Sequence, residues 1–134
     1  MSMPLSNNFT PKINNCDATE YVDQHEIFNG AKNRNGDYTI YARYNHTQLY
    51  IVYSYGHHFP MYIYDEVAQM WFGNKDRYSH TTSKHQSQAK PTQPIDSWLS
   101  TDEMKSLVKH GSLVDYLIHS ARVVETYRQE VVGS

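Results

Sequence analysis

The densest run of chemically capable side chains is Tyr78-Ser79-His80-Thr81-Thr82-Ser83-Lys84-His85-Gln86. Hydroxyls, an ammonium and imidazoles set together where a strand gives way to a loop can surround an anion with donors, and neighbouring backbone N–H groups add to such a nest. The run lacks the glycines of a phosphate loop. Its plainer use competes: Ser and Thr pair across strands and cap the loop's own backbone.

Two other chemistries need the same residues in tighter patterns. Hydrolysis would pair Ser79 or Ser83 with His85, His80 or His57, with Asp65, Asp76 or Asp96 to orient the imidazole. No nucleophile-elbow pattern accompanies them. A metal site would gather His57, His58, His80 and His85, yet no His-x-x-x-His helix spacing exists, and Cys16 is the only cysteine. The pattern implies no metal, no cofactor and no catalytic residue, and polar surface is the simpler use of these histidines.

Composition narrows the partners. The net charge of −2 and pI near 6.4 leave no global positive field to draw in a phosphate backbone. A lone cysteine excludes an internal disulfide and agrees with a reducing interior. No apolar run is long enough to span a bilayer and no signal-like start is present, so the expectation is a cytoplasmic protein without a membrane partner. With 134 residues, 39% of them hydrophobic, the chain can bury a core of its own.

The elements that would position the run follow from turn signals and period. Residues 1–15, rich in Asn, Ser and Pro, read as a flexible arm, and 16–134 as a single domain. Asp17 and Glu20 have the layout of a capping box for a short helix carrying Tyr21, Val22 and Phe28 and ended by Gly30, although Val22, Ile27 and Phe28 also suit a strand. After the Asn35-Gly36 turn, Tyr38 to Tyr44 alternate as a half-buried strand. Leu49 to Tyr55 follow as a central strand with both faces covered. Met61 to Tyr64 and Val67 to Phe72 form a hairpin about Asp65-Glu66, and a fifth strand falls near Arg77 to Ser83. An extended connection from Gln86 to Ser97 precedes two helices. Ser100 and Glu103 box the first, which turns Met104, Leu107 and Val108 inward and ends at Gly111. Ser112 caps the second, with Val114, Leu117, Ile118, Ala121 and Val124 as its buried stripe. The sum is an α+β fold: a roughly five-stranded, mainly antiparallel sheet with two C-terminal helices packed on one face.

Nine tyrosines, Tyr53 and Tyr55 among them, fall in the expected strands. With Trp71 and Arg77 nearby they have the composition of a protein-binding surface and could equally stack unpaired bases. The alternative fate is that about half of them pack beneath the helices. Weak charge favours a protein partner over nucleic acid.

The string Tyr53-Ser54-Tyr55-Gly56, Phe59-Pro60, Trp71, Asn74, Tyr78-Ser79, Thr81-Thr82-Ser83 and His85-Gln86, within residues 53–88, resembles a small domain of unknown function found in proteins of bacteriophages and other mobile elements. The family usually has an apolar residue where this chain has His80, whereas His85 keeps its place. The resemblance implies a phage-type accessory protein of the host cytoplasm that binds host or defence machinery, including as an anti-CRISPR or other anti-defence inhibitor. The first functional expectation is therefore a non-catalytic inhibitor or adaptor of a host nucleic-acid-processing or defence complex. Its surface would use Tyr53, Tyr55, His57 and Trp71 with Arg77, Tyr78, Ser79, Thr81, Thr82, Ser83, Lys84, His85 and Gln86. A nucleic-acid or nucleotide binder using Arg77, Lys84 and the hydroxyls is the second, a small Ser/His hydrolase the third. An exposed edge or tyrosine face would also allow a homodimer.

Overall fold

In the computed structural model, which describes residues 10–45, 48–55, 59–77 and 80–121 (of His80 and Thr82 the backbone alone), the turn signals resolve into one six-stranded sheet. Its strands are β1 (Phe28–Asn29), β2 (Ile40–Asn45), β3 (Leu49–Ser54), β4 (Phe59–Asp65), β5 (Met70–Asn74) and β6 (Ser97–Leu99), lying side by side in chain order. Gly36 adopts φ 84, a left-handed conformation that glycine enters without steric cost, at the Asn35-Gly36 turn before β2. The first four pairings are antiparallel, and all six residues of β3 are buried, as a central strand's should be. Pro60 lies near the start of β4, opposite Tyr53 and beside the register shift between Val52 and Tyr53, where its missing N–H interrupts little.

Helix α1 (Ala18–Asp23) is shorter than expected, and Phe28 belongs to β1 instead. Asp17 makes no side-chain cap; a 3₁₀ turn, Asn15–Asp17, leads into the helix. Of the expected arm, Pro11 to Ile13 run beside β1, through Asn29 N–H to Pro11 O (2.8 Å) and Ile13 N–H to Asn29 O (2.8 Å).

His80–Gln88 form helix α2 in place of the fifth strand expected near Arg77 to Ser83. These nine residues contain neither Gly nor Pro, and their inward side is His85 and Gln86, followed by Ala89. Polar residues on the buried side hide the helical period from a hydrophobicity reading. The crossover they make lets β6 return parallel to β5, so the sheet is mixed.

Both faces are covered. Val22 of α1 and Ala89 beyond α2 pack with Phe28, Val52, Tyr62 and Trp71 on one face. On the other, Met104 and Leu107 of α3 (Thr101–His110) pack with Ile51, Ile63 and Phe72. Helix α3 matches its sequence signals: Ser100 Oγ accepts from Glu103 N–H, Glu103 Oε1 from Ser100 N–H, and Gly111 closes it at φ 80.

A last helix, α4, covers 113–121, with Asp115 N–H on Ser112 Oγ at 3.1 Å. Its expected buried stripe is turned outward: Val114, Leu117 and Ile118 are 57%, 53% and 44% exposed, while half-buried Leu113 and Tyr116 pack inward. Leu113 N–H donates to Asp65 Oδ2 at 2.8 Å, and that anchor sets the helix's rotation. Val124 lies outside the described residues.

Candidate functional site

The expected tyrosine face is largely interior. Tyr41, Tyr50, Tyr53 and Tyr62 are buried, and burial pushes the Tyr41 and Tyr62 hydroxyls up to about 12. Trp71 is buried as well; its indole N–H donates to Gln93 Oε1 (2.7 Å) and its backbone N–H to Asp96 Oδ2 (2.8 Å). Tyr53 and Trp71 therefore serve the core, because strands covered on both faces have little aromatic surface to present. Tyr44, 40% exposed, and Tyr55 are exceptions, and only Tyr55 adjoins the expected run. Tyr55 is 36% exposed, leaves β3 at a positive φ of 53 and lies against the His85 ring, centroids 5.1 Å apart.

His85 and Gln86 are also interior, which corrects their expected place on a contact surface. His85 Nδ1 and Ser54 Oγ are hydrogen-bonded at 2.9 Å, and burial, then the Lys84 charge, hold the imidazole below its ordinary pKa. Two residues along a helix is a rotation of about 200°, so Ser83 and His85 point apart and form no dyad. The serine that meets His85 is Ser54, which has no exposed surface from which to attack a substrate.

Gln86 is a junction. Its Nε2 donates to Asn74 O at 3.0 Å, and its own carbonyl accepts the Tyr62 hydroxyl at 2.7 Å. Asn74 Nδ2 in turn donates to Pro60 O, and Asn74 Oδ1 accepts Asp76 N–H, while Asp76 Oδ2 accepts Thr101 N–H. These bonds fix α2, β4, β5 and the start of α3 together. One atom is left over: Gln86 Oε1 is buried without a partner.

Beside it lies a small hollow of about 120 Å³ lined by Tyr62, Arg77, Gln86, Ser87, Lys90 and Trp98. Arg77 and Lys90 are exposed, and Trp98 is 46% exposed. Lys90 and Trp98 escaped the sequence reading; the only signal was an aromatic residue stranded between a polar connection and a capping box. Of the expected site, Thr81 and Lys84 are exposed on α2 and Ser83 is half-buried, its carbonyl accepting the Ser87 hydroxyl at 3.2 Å. His57, Tyr78 and Ser79, and the side chains of His80 and Thr82, lie outside what is described. A larger, open groove of about 520 Å³ lies among Lys12, Asp17, Tyr21, Lys32 and Tyr38, away from this cluster.

Among the described residues no three His, Cys, Asp or Glu side chains are grouped to hold a metal, and no helix is long and apolar enough to cross a membrane. Comparison with protein-family models, curated proteins and solved structures finds no match.

Proposed function

We propose that the chain is a non-catalytic accessory protein of the phage type, an inhibitor or adaptor that binds a host nucleic-acid-processing or defence complex. The observation that supports this best is the outward stripe of α4, where Val114, Leu117 and Ile118 lie exposed on adjacent turns. An apolar stripe at i, i+3 and i+4 on an otherwise docked helix is the form in which helices enter a partner's groove. This stripe replaces the tyrosine face as the contact surface, since most of those rings are committed to the core. His85, tied to the buried Ser54, supports a structural and not a catalytic use of the imidazole.

Affinity capture from nuclease-treated host lysate tests the proposal, with wild type beside Leu117→Asp/Ile118→Asp. The expected result is a defined host complex retained by wild type and reduced at least tenfold by the variant. Equal recovery on both baits would remove α4 as the contact. Light scattering on the purified protein separates a second copy of the chain from a foreign partner.

A further inference from the structure

The hollow between α2 and β6 combines three features that the apolar stripe does not use. The first is an aromatic platform. A Cβ at Gly73 would lie 2.5 Å from Trp98 Cζ3 and 2.7 Å from Cε3, so the indole occupies the space that glycine leaves on β5. The ring is supported by the sheet on one side and remains 46% exposed. The second is local charge. Arg77 and Lys90 both line the hollow, and no carboxylate is among its lining residues. The C-terminal end of α2 contributes only about half a negative charge, which Arg77 and Lys90 outweigh. The third is the buried, unpartnered Gln86 Oε1, an acceptor whose amide nitrogen is already committed to the Asn74 carbonyl.

Position is fixed as well as chemistry. The carbonyls of Gln88 and Lys90 accept the Thr19 hydroxyl at 2.9 and 2.8 Å, and Thr92 is bonded through N–H and hydroxyl to Asp23, which holds the Lys90 segment against α1. Asp76, next to Arg77, is held by Thr101 and Asn74. A volume of about 120 Å³ falls well below the roughly 300–1,000 Å³ that encloses a whole small molecule. It suits one part of a longer ligand whose remainder crosses the open ring of Trp98.

We propose that this hollow holds one nucleotide of a single-stranded nucleic acid, with its base stacked on Trp98 and its phosphate between Arg77 and Lys90. Stacking on Trp98 reads no base edge, so recognition is tolerant of sequence. The binding goes beyond the α4 contact, which lies on the other face of the sheet.

Fluorescence anisotropy of a labelled oligothymidylate of about 12 nucleotides tests it. Trp98→Ala should weaken binding about tenfold or more, the loss expected of one stacked base. One neutralised phosphate gives a log–log salt slope of about −0.7, and Arg77→Ala/Lys90→Ala should bring it close to zero. Trp98→Phe, retaining a ring, should recover part of the affinity, and Val67→Ala, at the exposed turn between β4 and β5, should leave it unchanged. No anisotropy change up to about 1 mM strand, ten times beyond the weak end of non-specific binding, overturns the proposal. So does binding that survives Trp98→Ala and Arg77→Ala/Lys90→Ala at wild-type strength. Thymidine monophosphate bound as tightly as the strand overturns the strand as the ligand.

Discussion

Trp98 lies where a side chain at Gly73 would have to be, its ring carbons 2.5 and 2.7 Å from the position a Cβ would take. Gly73→Ala should therefore displace the indole, with Ile95 Cγ2 at 3.1 Å limiting where it can go. Overpacking of this kind costs about 1–3 kcal/mol. Trp71 is buried, so acrylamide quenching reads Trp98 almost alone. Quenching should rise as urea stability falls; a variant that changes neither would show that the indole does not depend on the glycine.

Asp65 ties two distant segments together. Its Oδ1 accepts Val67 N–H, Ala68 N–H and the Gln48 amide, and its Oδ2 accepts Leu113 N–H at the start of α4. Burial opposes the charged form, but these donors outweigh it and the pKa falls below the ordinary 3.8. A carboxylate depressed on folding contributes stability that is complete above the unfolded value and lost as pH falls through the folded one. Asp65→Ala should cost about 3 kcal/mol at neutral pH, because buried donors lose a charged acceptor, and should flatten the loss of stability below about pH 4. Urea unfolding at several acidic pH values checks both.

What the sequence made legible was whatever local signals decide. Ser100, Glu103 and Gly111 bound α3, and the alternation of Leu49 to Ser54 marks the central strand, because caps and period act within a few residues. Helix α2 was hidden because its buried side is polar. His85 becomes an interior residue only when Ser54, 31 positions earlier, meets it, and Tyr62 closes on the Gln86 carbonyl from 24 positions away. The stripe on α4 was legible as a stripe but not in direction, since Asp65, 48 residues upstream, decides which side faces in. The Trp98 platform likewise required Gly73 on a neighbouring strand.

The Ser54–His85 pair makes a prediction about acid. Burial, and after it Lys84, lowers the His85 pKa from its ordinary 6.5, and burial lowers that of His25 against the opposing charges of Glu66 and Asp23. Below pH 6.5 the unfolded chain then binds more protons than the folded one, so stability is complete above that value and declines on acidification toward the folded pKa values. Ser54→Ala, by leaving the buried ring nitrogen without its partner, should cost about 1–3 kcal/mol at pH 7. His85→Gln should make the decline between about pH 7 and pH 5 shallower. An unaltered pH profile in that variant would mean His85 does not titrate with folding.

Helices α3 and α4 offer a direct contrast between a docked face and an open one. Leu107 has no exposed surface and packs against the sheet, whereas Leu117, one helix later, is 53% exposed. Truncating the first, Leu107→Ala, removes buried methyl groups and should cost about 2–5 kcal/mol. Placing a charge at the second, Leu117→Asp, should leave stability within about 0.5 kcal/mol, the usual range for a surface position. Paired urea denaturation of the two variants decides whether the stripe is free in the isolated protein. A loss of more than about 2 kcal/mol in Leu117→Asp would place that side chain in the core, and with it would go the contact surface on which the proposed function rests.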